Sequence, residues 1–373
     1  MIFYLTFNEA PSGIFSSQVI DVVKFLDHDL KTEIRLLAFI SLRGFLENKR
    51  KIKQQLPNSI VLPMFPKMKN WKKNKFVLNL FFLKYKPKTI IARSVMATKL
   101  AFELKSKVKI VYDGRGAIEA EWHEYKVVTD QQLLNNIHAY EKEVILNSDF
   151  RISVSNVLLQ FWKETFSYNS LKHVIIPCTL NSDFEKIQIS TGEILEKRKE
   201  IGINVNDIVF VYSGMVAGWQ SFEMIFSFIQ PILKNSSSTK IVFFSPSDAG
   251  IEKLQKLFPG QVIRKHLSPD LVSKYLLLGD YGLLIREQST TNKVASPVKF
   301  AEYLASGLKV IISENLGDYT QLSKEKGWGY IYNEFNEAAV KPHLNTKLQI
   351  SAEAVRLFSK QTYKLQYQQL ISV

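Results

Sequence analysis

At 373 residues, 46% of them hydrophobic and 23% charged, the chain is a globular protein too long for one core, which predicts two domains and excludes a disordered polymer. A single cysteine, Cys178, excludes an internal disulfide framework and a cysteine-based zinc cluster, and fits a reducing cytoplasm. The net charge of +14 directs attention to anionic partners.

The amino terminus, Met1-Ile2-Phe3-Tyr4-Leu5-Thr6-Phe7, lacks a basic and a long apolar segment and reads as a strand, not a signal peptide. A turn follows, Asn8-Glu9-Ala10-Pro11-Ser12-Gly13, and a helix is expected from about Ser16-Ser17-Gln18, with Val19, Ile20, Val22, Val23 and Leu26 facing inward. Strand, glycine turn and helix open a doubly wound sheet, with the turn at the carboxyl edge where ligands bind. Strands at 33–40, 59–62, 89–92, 108–112 and 150–154 alternate with helices at 43–55, through a basic region to Tyr85, at 96–104 and at 133–147. The fourth of these strands runs into Asp113-Gly114-Arg115-Gly116, beside Glu119, Glu121, Trp122, His123 and Glu124. Carboxylates, an arginine and a histidine at a strand end are suited to orienting sugar hydroxyls or moving a proton.

Between Arg43 and Lys88 stand thirteen Lys and Arg against one acid, Glu47, interleaved with Phe65, Met68, Trp71, Phe76, Phe81, Phe82 and Tyr85. Cations around large apolar side chains suit a surface lying on anionic lipid. Such a patch also serves nucleic acid, and a solvated face of a basic protein is the plainer alternative. The most apolar run, Phe76–Leu83, is far shorter than the roughly 20 residues that span a bilayer.

After a strand at 173–178 the chain turns polar, and a second α/β half begins. Ile208–Tyr212 leads into Ser213-Gly214, a turn where backbone can approach a phosphate because glycine leaves room. A helix at 222–233 and strands at 240–244 and 261–263 follow, the last ending near His266. After a helix at 270–278, a strand at 281–285 delivers Arg286. Ser296-Pro297-Val298-Lys299-Phe300-Ala301-Glu302 then opens a helix stopped at Gly307 before the strand Leu308–Ile312. The amides of that first turn form an anion site, and Lys299 and Glu302, three residues apart, share a helix face. An ordinary capped helix with a surface ion pair is the plainer reading. A helix near 317–325, a strand at 329–332 and a terminal helix at 352–368, with Val355, Phe358, Thr362 and Leu365 inward, complete the chain. No dinucleotide-binding, P-loop, zinc-protease or serine-hydrolase motif occurs.

The stretch Val294–Ile311 resembles the donor-site helix of the GT-B glycosyltransferases, in particular the family 4 type of bacterial polysaccharide assembly. Ile176-Pro177-Cys178-Thr179-Leu180-Asn181 with Phe184 is similar to that family's interdomain linker, and Pro11-Ser12-Gly13-Ile14 to its glycine turn. The resemblance covers nearly the whole chain. It implies an α/β architecture of two Rossmann-like domains facing across a cleft, with a C-terminal helix crossing back to the first. An acceptor-side domain would occupy 1–180 with a helix at about 353–373, and a donor domain 181–352. It implies that Glu302 holds the ribose. From the residues themselves, Arg286 at a strand end and Lys299 in a helix first turn are expected to converge on the diphosphate, with Ser296, Pro297 and Val298 at the helix start and the Ser213-Gly214 turn. His266 is either a stacking partner for the base or, the plainer reading, a loop histidine. Asp113, Arg115 and Glu119 fall at the acceptor-side catalytic loop, with Ser12, Gly13 and Gln18 on the acceptor side. Where many relatives carry an Arg and a Lys for the diphosphate, this chain has Met215 and Gln220; a partner Glu of the signature is Val294.

The expected activity is transfer of a sugar from a nucleotide-diphosphate sugar to a lipid-linked or oligosaccharide acceptor, with retention. No cofactor, no metal and no nucleic acid is expected, and region 43–88 would rest on the cytoplasmic membrane face. A same-fold nucleotide-sugar epimerase and a catalytically silent sugar- or lipid-binding scaffold are the alternatives.

Overall fold

The structure, a computed structural model, describes residues 1–104, 108–214 and 220–373. It divides into two compact units. The first comprises Met1–Asn181, Val294–Ser296 and Lys360–Val373; the second comprises Ser182–Lys293 and Pro297–Ser359.

The first unit is built on β1 (Ile2–Phe7), β2 (Ile34–Ile40), β3 (Ile60–Pro63), β4 (Thr89–Arg93), β5 (Lys109–Gly114), β6 (Phe150–Ser153) and β7 (His173–Ile175). Their order is β3-β2-β1-β4-β5-β6-β7, with parallel pairing throughout. All six residues of β1 are buried. Phe3, Leu5 and Phe7 enter the core on one face and Ile2 and Tyr4 the core on the other, as a parallel strand covered on both sides requires.

The second unit holds β8 (Ile208–Ser213), β9 (Thr239–Phe244), β10 (Val262–Arg264), β11 (Tyr281–Leu284), β12 (Lys309–Ile312) and β13 (Gly329–Ile331). These are also parallel, in the order β10-β9-β8-β11-β12-β13. In each sheet the order reverses once, between β1 and β4 and between β8 and β11. Crevices at the carboxyl ends of such strand pairs are where doubly wound folds place ligands.

Several elements differ from the sequence expectation. The first helical stretch begins at Gly13, because Ser12 caps it by accepting from Phe15 N at 3.1 Å; it then widens into π turns at Ser16–Ile20 and Phe25–Asp29. Helices at Ile118–Glu124, Asn156–Phe166 and Ala249–Leu257 lay unassigned. The donor-site helix spans Val298–Ala305, with Pro297 as its N-cap rather than its first helical residue. Ser296 does not cap it, since its hydroxyl accepts from Cys178 N at 2.9 Å.

The expected terminal helix is two helices with a break at Ser359. Lys347–Phe358 stays in the second unit, where Phe358 packs edge-on against Phe300 and Tyr319. Lys364–Ile371 joins the first, where Tyr367 and Leu370 enter its core. Leu365, expected to face inward, is exposed. Burial on two different cores, not one continuous apolar face, decides this segment.

Candidate functional site

At the reversal point of the second sheet, β8 ends in Ser213-Gly214 and β11 leads to Arg286. The helix Val298–Ala305 starts there with no side chain capping its first turn, so its dipole favours an anion. Phe300 anchors the helix by stacking on Tyr319, 4.3 Å between centroids, and Tyr303 ties it to β8 by accepting from Ser213 N at 3.0 Å. Gly307 closes the helix at φ +71; a side chain there would meet the backbone of Lys347.

Lys299 extends from this helix over the Tyr212 ring, 4.8 Å from its centroid, and its ammonium donates to Gln220 Oε1 at 3.0 Å. Gly214, at φ +132, has to lack a side chain, because a Cβ there would lie 2.3 Å from Lys299 Nζ. Burial and then the nearby Arg286 push the Lys299 ammonium down to about 7, with Glu302 opposing them. Burial raises Glu302 to about 7, with Lys299 opposing. Among the described residues no hydrogen bond or ion pair joins Lys299 to Glu302; each group is desolvated and available to a ligand. Arg286 is buried, with Nη1 3.3 Å from Asn292 Oδ1 and its amide donating to Ser313 Oγ at 2.7 Å.

The structure therefore brings together Ser213, Gly214, Arg286, Lys299 and Glu302, with Pro297 and Val298 at the helix start. Ser296 belongs to the first unit. His266 is exposed in the loop after β10, the edge strand of its sheet. Met215 lies outside the described residues, whereas Gln220 is the direct partner of Lys299.

In the first unit, the reversal point carries charges that satisfy one another. Asp113, fully buried at the end of β5, pairs with Arg115 Nε at 2.8 Å, accepts from Arg115 Nη2 at 2.8 Å and from the Tyr4 hydroxyl at 2.5 Å, and lies 3.8 Å from Arg93 Nη1. Arg93, at the end of β4, donates to Glu9 Oε2 at 2.9 Å. Burial works against the charge of Arg115, and Asp113 overrides it and holds the guanidinium protonated.

Glu119 pairs with His138 Nδ1 at 2.7 Å. Burial, and then Glu9, raises the neighbouring carboxyl of Glu121. The helix bearing both starts on buried Glu141, which accepts from Ile118 N at 2.9 Å and Glu119 N at 2.8 Å and is raised by burial to about 7. Ser12 is committed to its cap, Gly13 has open space around it, and buried Gln18 donates to Thr179 O at 2.7 Å.

Sequence reasoning passed over Glu9, Arg93, Tyr4, Glu141 and Tyr303. One of them had a signal: Arg93 ends the apolar run Ile90-Ile91-Ala92 as Arg286 ends its own strand. Among the described residues no cluster of three His, Cys, Asp or Glu side chains is arranged to hold a metal ion.

The sequence matches no protein-family model and no curated protein. Solved structures, however, align over the full chain. Sucrose-phosphate synthase from Thermosynechococcus elongatus is 14% identical, with 99% of this chain and 98% of that one covered and a TM-score of 0.72. HepE of Anabaena, solved with UDP and glucose, is 13% identical over 100% of this chain and 99% of its own, at 0.71. A UDP-N-acetylglucosamine 2-epimerase from Listeria monocytogenes is described in its title as putative; it is 12% identical over 100% and 90%, at 0.55. The chain has the GT-B glycosyltransferase fold: two parallel α/β sheets with alternating helices, matched from end to end.

Proposed function

We propose that the protein is a glycosyltransferase that binds a nucleotide-diphosphate sugar in its second unit and transfers the sugar to a lipid-linked or oligosaccharide acceptor. The observation that carries this reading is the convergence of Lys299, Arg286 and an uncapped helix start with the half-buried carboxylate Glu302 at one sheet reversal point. The cations and helix amides suit a diphosphate, and Glu302 suits the two hydroxyls of a ribose. HepE, with the same fold, is solved with UDP-glucose, and a uridine donor is the first to test.

During transfer the bond from the anomeric carbon to the diphosphate oxygen breaks, and the acceptor hydroxyl oxygen bonds to that carbon. The hydroxyl proton passes to the departing diphosphate, on which negative charge builds as it leaves. Lys299 and Arg286 are placed to stabilise that charge, so the reaction requires no metal and, with retention, no dedicated general base. On the acceptor side Asp113 and Arg115 neutralise one another and hold the loop after β5 in shape beside the acceptor. The setting is assembly of capsule or lipopolysaccharide on the cytoplasmic membrane face, with residues 43–88 turned to the lipid. No helix of the described residues is long and apolar enough to cross a membrane.

The test is release of UDP from a panel of UDP-sugars, with and without lipid-linked saccharide, by the wild type and Lys299→Ala. Release that depends on acceptor and falls about a hundredfold in the variant supports transfer. Interconversion of UDP-N-acetylglucosamine without acceptor would make it an epimerase, the reading that the weaker likeness at a TM-score of 0.55 favours. Binding without turnover would leave a scaffold.

A further inference from the structure

The helix Lys75–Tyr85 in the first unit is apolar on both sides, yet only one side meets the core. Leu78 is fully buried, Tyr85 packs edge-on against Phe3 at 5.8 Å, and Arg35 lies 4.9 Å over the Tyr85 ring. The turn before it is fixed by buried Trp71 and by Asn74, whose Oδ1 accepts from Phe65 N at 2.9 Å. The helix is thus anchored without its outer face.

On that outer face Phe76, Leu80 and Leu83 are 67%, 66% and 67% exposed. Their spacing of four and three residues aligns them in one stripe. Three large apolar side chains two-thirds in water on one helix face are not scattered exposure; they mark a contact surface.

Lysines frame the stripe. Lys72 and Lys73 lie one turn before Phe76, and Lys84, Lys86 and Lys88 follow Leu83, all exposed. Lys72 and Lys75 share Glu103 at 3.8 and 3.6 Å. Among the described residues Lys73, Lys84, Lys86 and Lys88 make no ion pair. A second copy of this chain is the wrong occupant, because a self-complementary interface here would set lysines against lysines. A surface that is apolar inside and anionic outside matches both parts.

We propose that Phe76, Leu80 and Leu83 insert into the interfacial layer of an anionic membrane while Lys73, Lys84, Lys86 and Lys88 contact its headgroups. This rests on the membrane part of the proposed function and not on its sugar chemistry. The helix lies in the interface, since its 11 residues are too short to span it.

The test uses the full chain and sedimentation with two sets of vesicles, pure phosphatidylcholine and phosphatidylcholine with roughly one lipid in three replaced by phosphatidylglycerol. Wild type is expected to partition about tenfold or more better onto the anionic vesicles. Phe76→Ser/Leu80→Ser/Leu83→Ser, exposed positions that leave the melting temperature unchanged, should lose about tenfold of that binding. Lys73→Glu/Lys84→Glu/Lys86→Glu should lose it most at low salt. Leu80→Trp should shift its fluorescence to the blue only with anionic vesicles. Equal binding by the serine variant, equal binding to neutral vesicles, or a wild-type dimer that the serine variant converts to monomer would each overturn the proposal. UDP-glucose binding on the same samples separates failure of the membrane surface from failure of the donor site.

Discussion

The two sheets reverse direction in the same way but spend their charges differently. At the carboxyl ends of β1, β4 and β5, Glu9 and Asp113 offset Arg93 and Arg115, with Tyr4 closing the network. At the ends of β8 and β11, Lys299 and Glu302 are each desolvated, and no pair joins them. The first arrangement is complete within the protein and holds a loop in shape. The second is poised for a ligand that supplies an anion to the cations and hydroxyls to the carboxylate. A cluster of ionisable groups at a strand end is therefore not one kind of feature, and which groups neutralise which decides its use.

The comparison breaks most visibly at Asp113. Asp113→Ala leaves two buried guanidiniums with one carboxylate between them, and should cost roughly 3–5 kcal/mol in denaturant unfolding. Loss of less than about 1 kcal/mol would mean that the first cluster is not held by its own charges. Gly214→Ala should act in the opposite way, on binding more than on folding. Its Cβ would displace the Lys299 ammonium, and UDP-glucose affinity should fall about tenfold, or ~1.4 kcal/mol, in a calorimetric titration. Unchanged affinity would show that Lys299 does not need its present path across the glycine.

Much of the second site was legible in the chain because it is local. Lys299 and Glu302 share one helix, Gly307 stops it, and Arg286 ends an apolar strand. The parts that were not legible depend on distant partners. Ser296 has the residue type of a cap, yet its hydroxyl serves Cys178, 118 positions away. Asp113 and Glu119 have the residue types of catalytic groups, and only the folded chain shows the first clamped by Arg115 and Tyr4 and the second paired with His138. Glu141 caps a helix 23 residues earlier in the chain, which no local pattern marks. The break at Ser359 was hidden for the same reason. Helical periodicity runs through it, and only the destinations of Phe358 and Tyr367 separate the two helices.

The central claim is that Lys299 is a desolvated amine waiting for a diphosphate. In the free protein it titrates near 7; beside a bound diphosphate its ammonium is favoured, so the complex holds more protons than the free components above that pH. The direct measurement is calorimetric titration with UDP-glucose from pH 7 to pH 9, in two buffers of different ionisation heat. The account predicts proton uptake on binding and an affinity that falls as pH rises, with Lys299→Ala weaker by about tenfold or more at pH 7 and flat above it. An affinity independent of pH over that range, or a Lys299→Ala variant that binds as the wild type does, would contradict it.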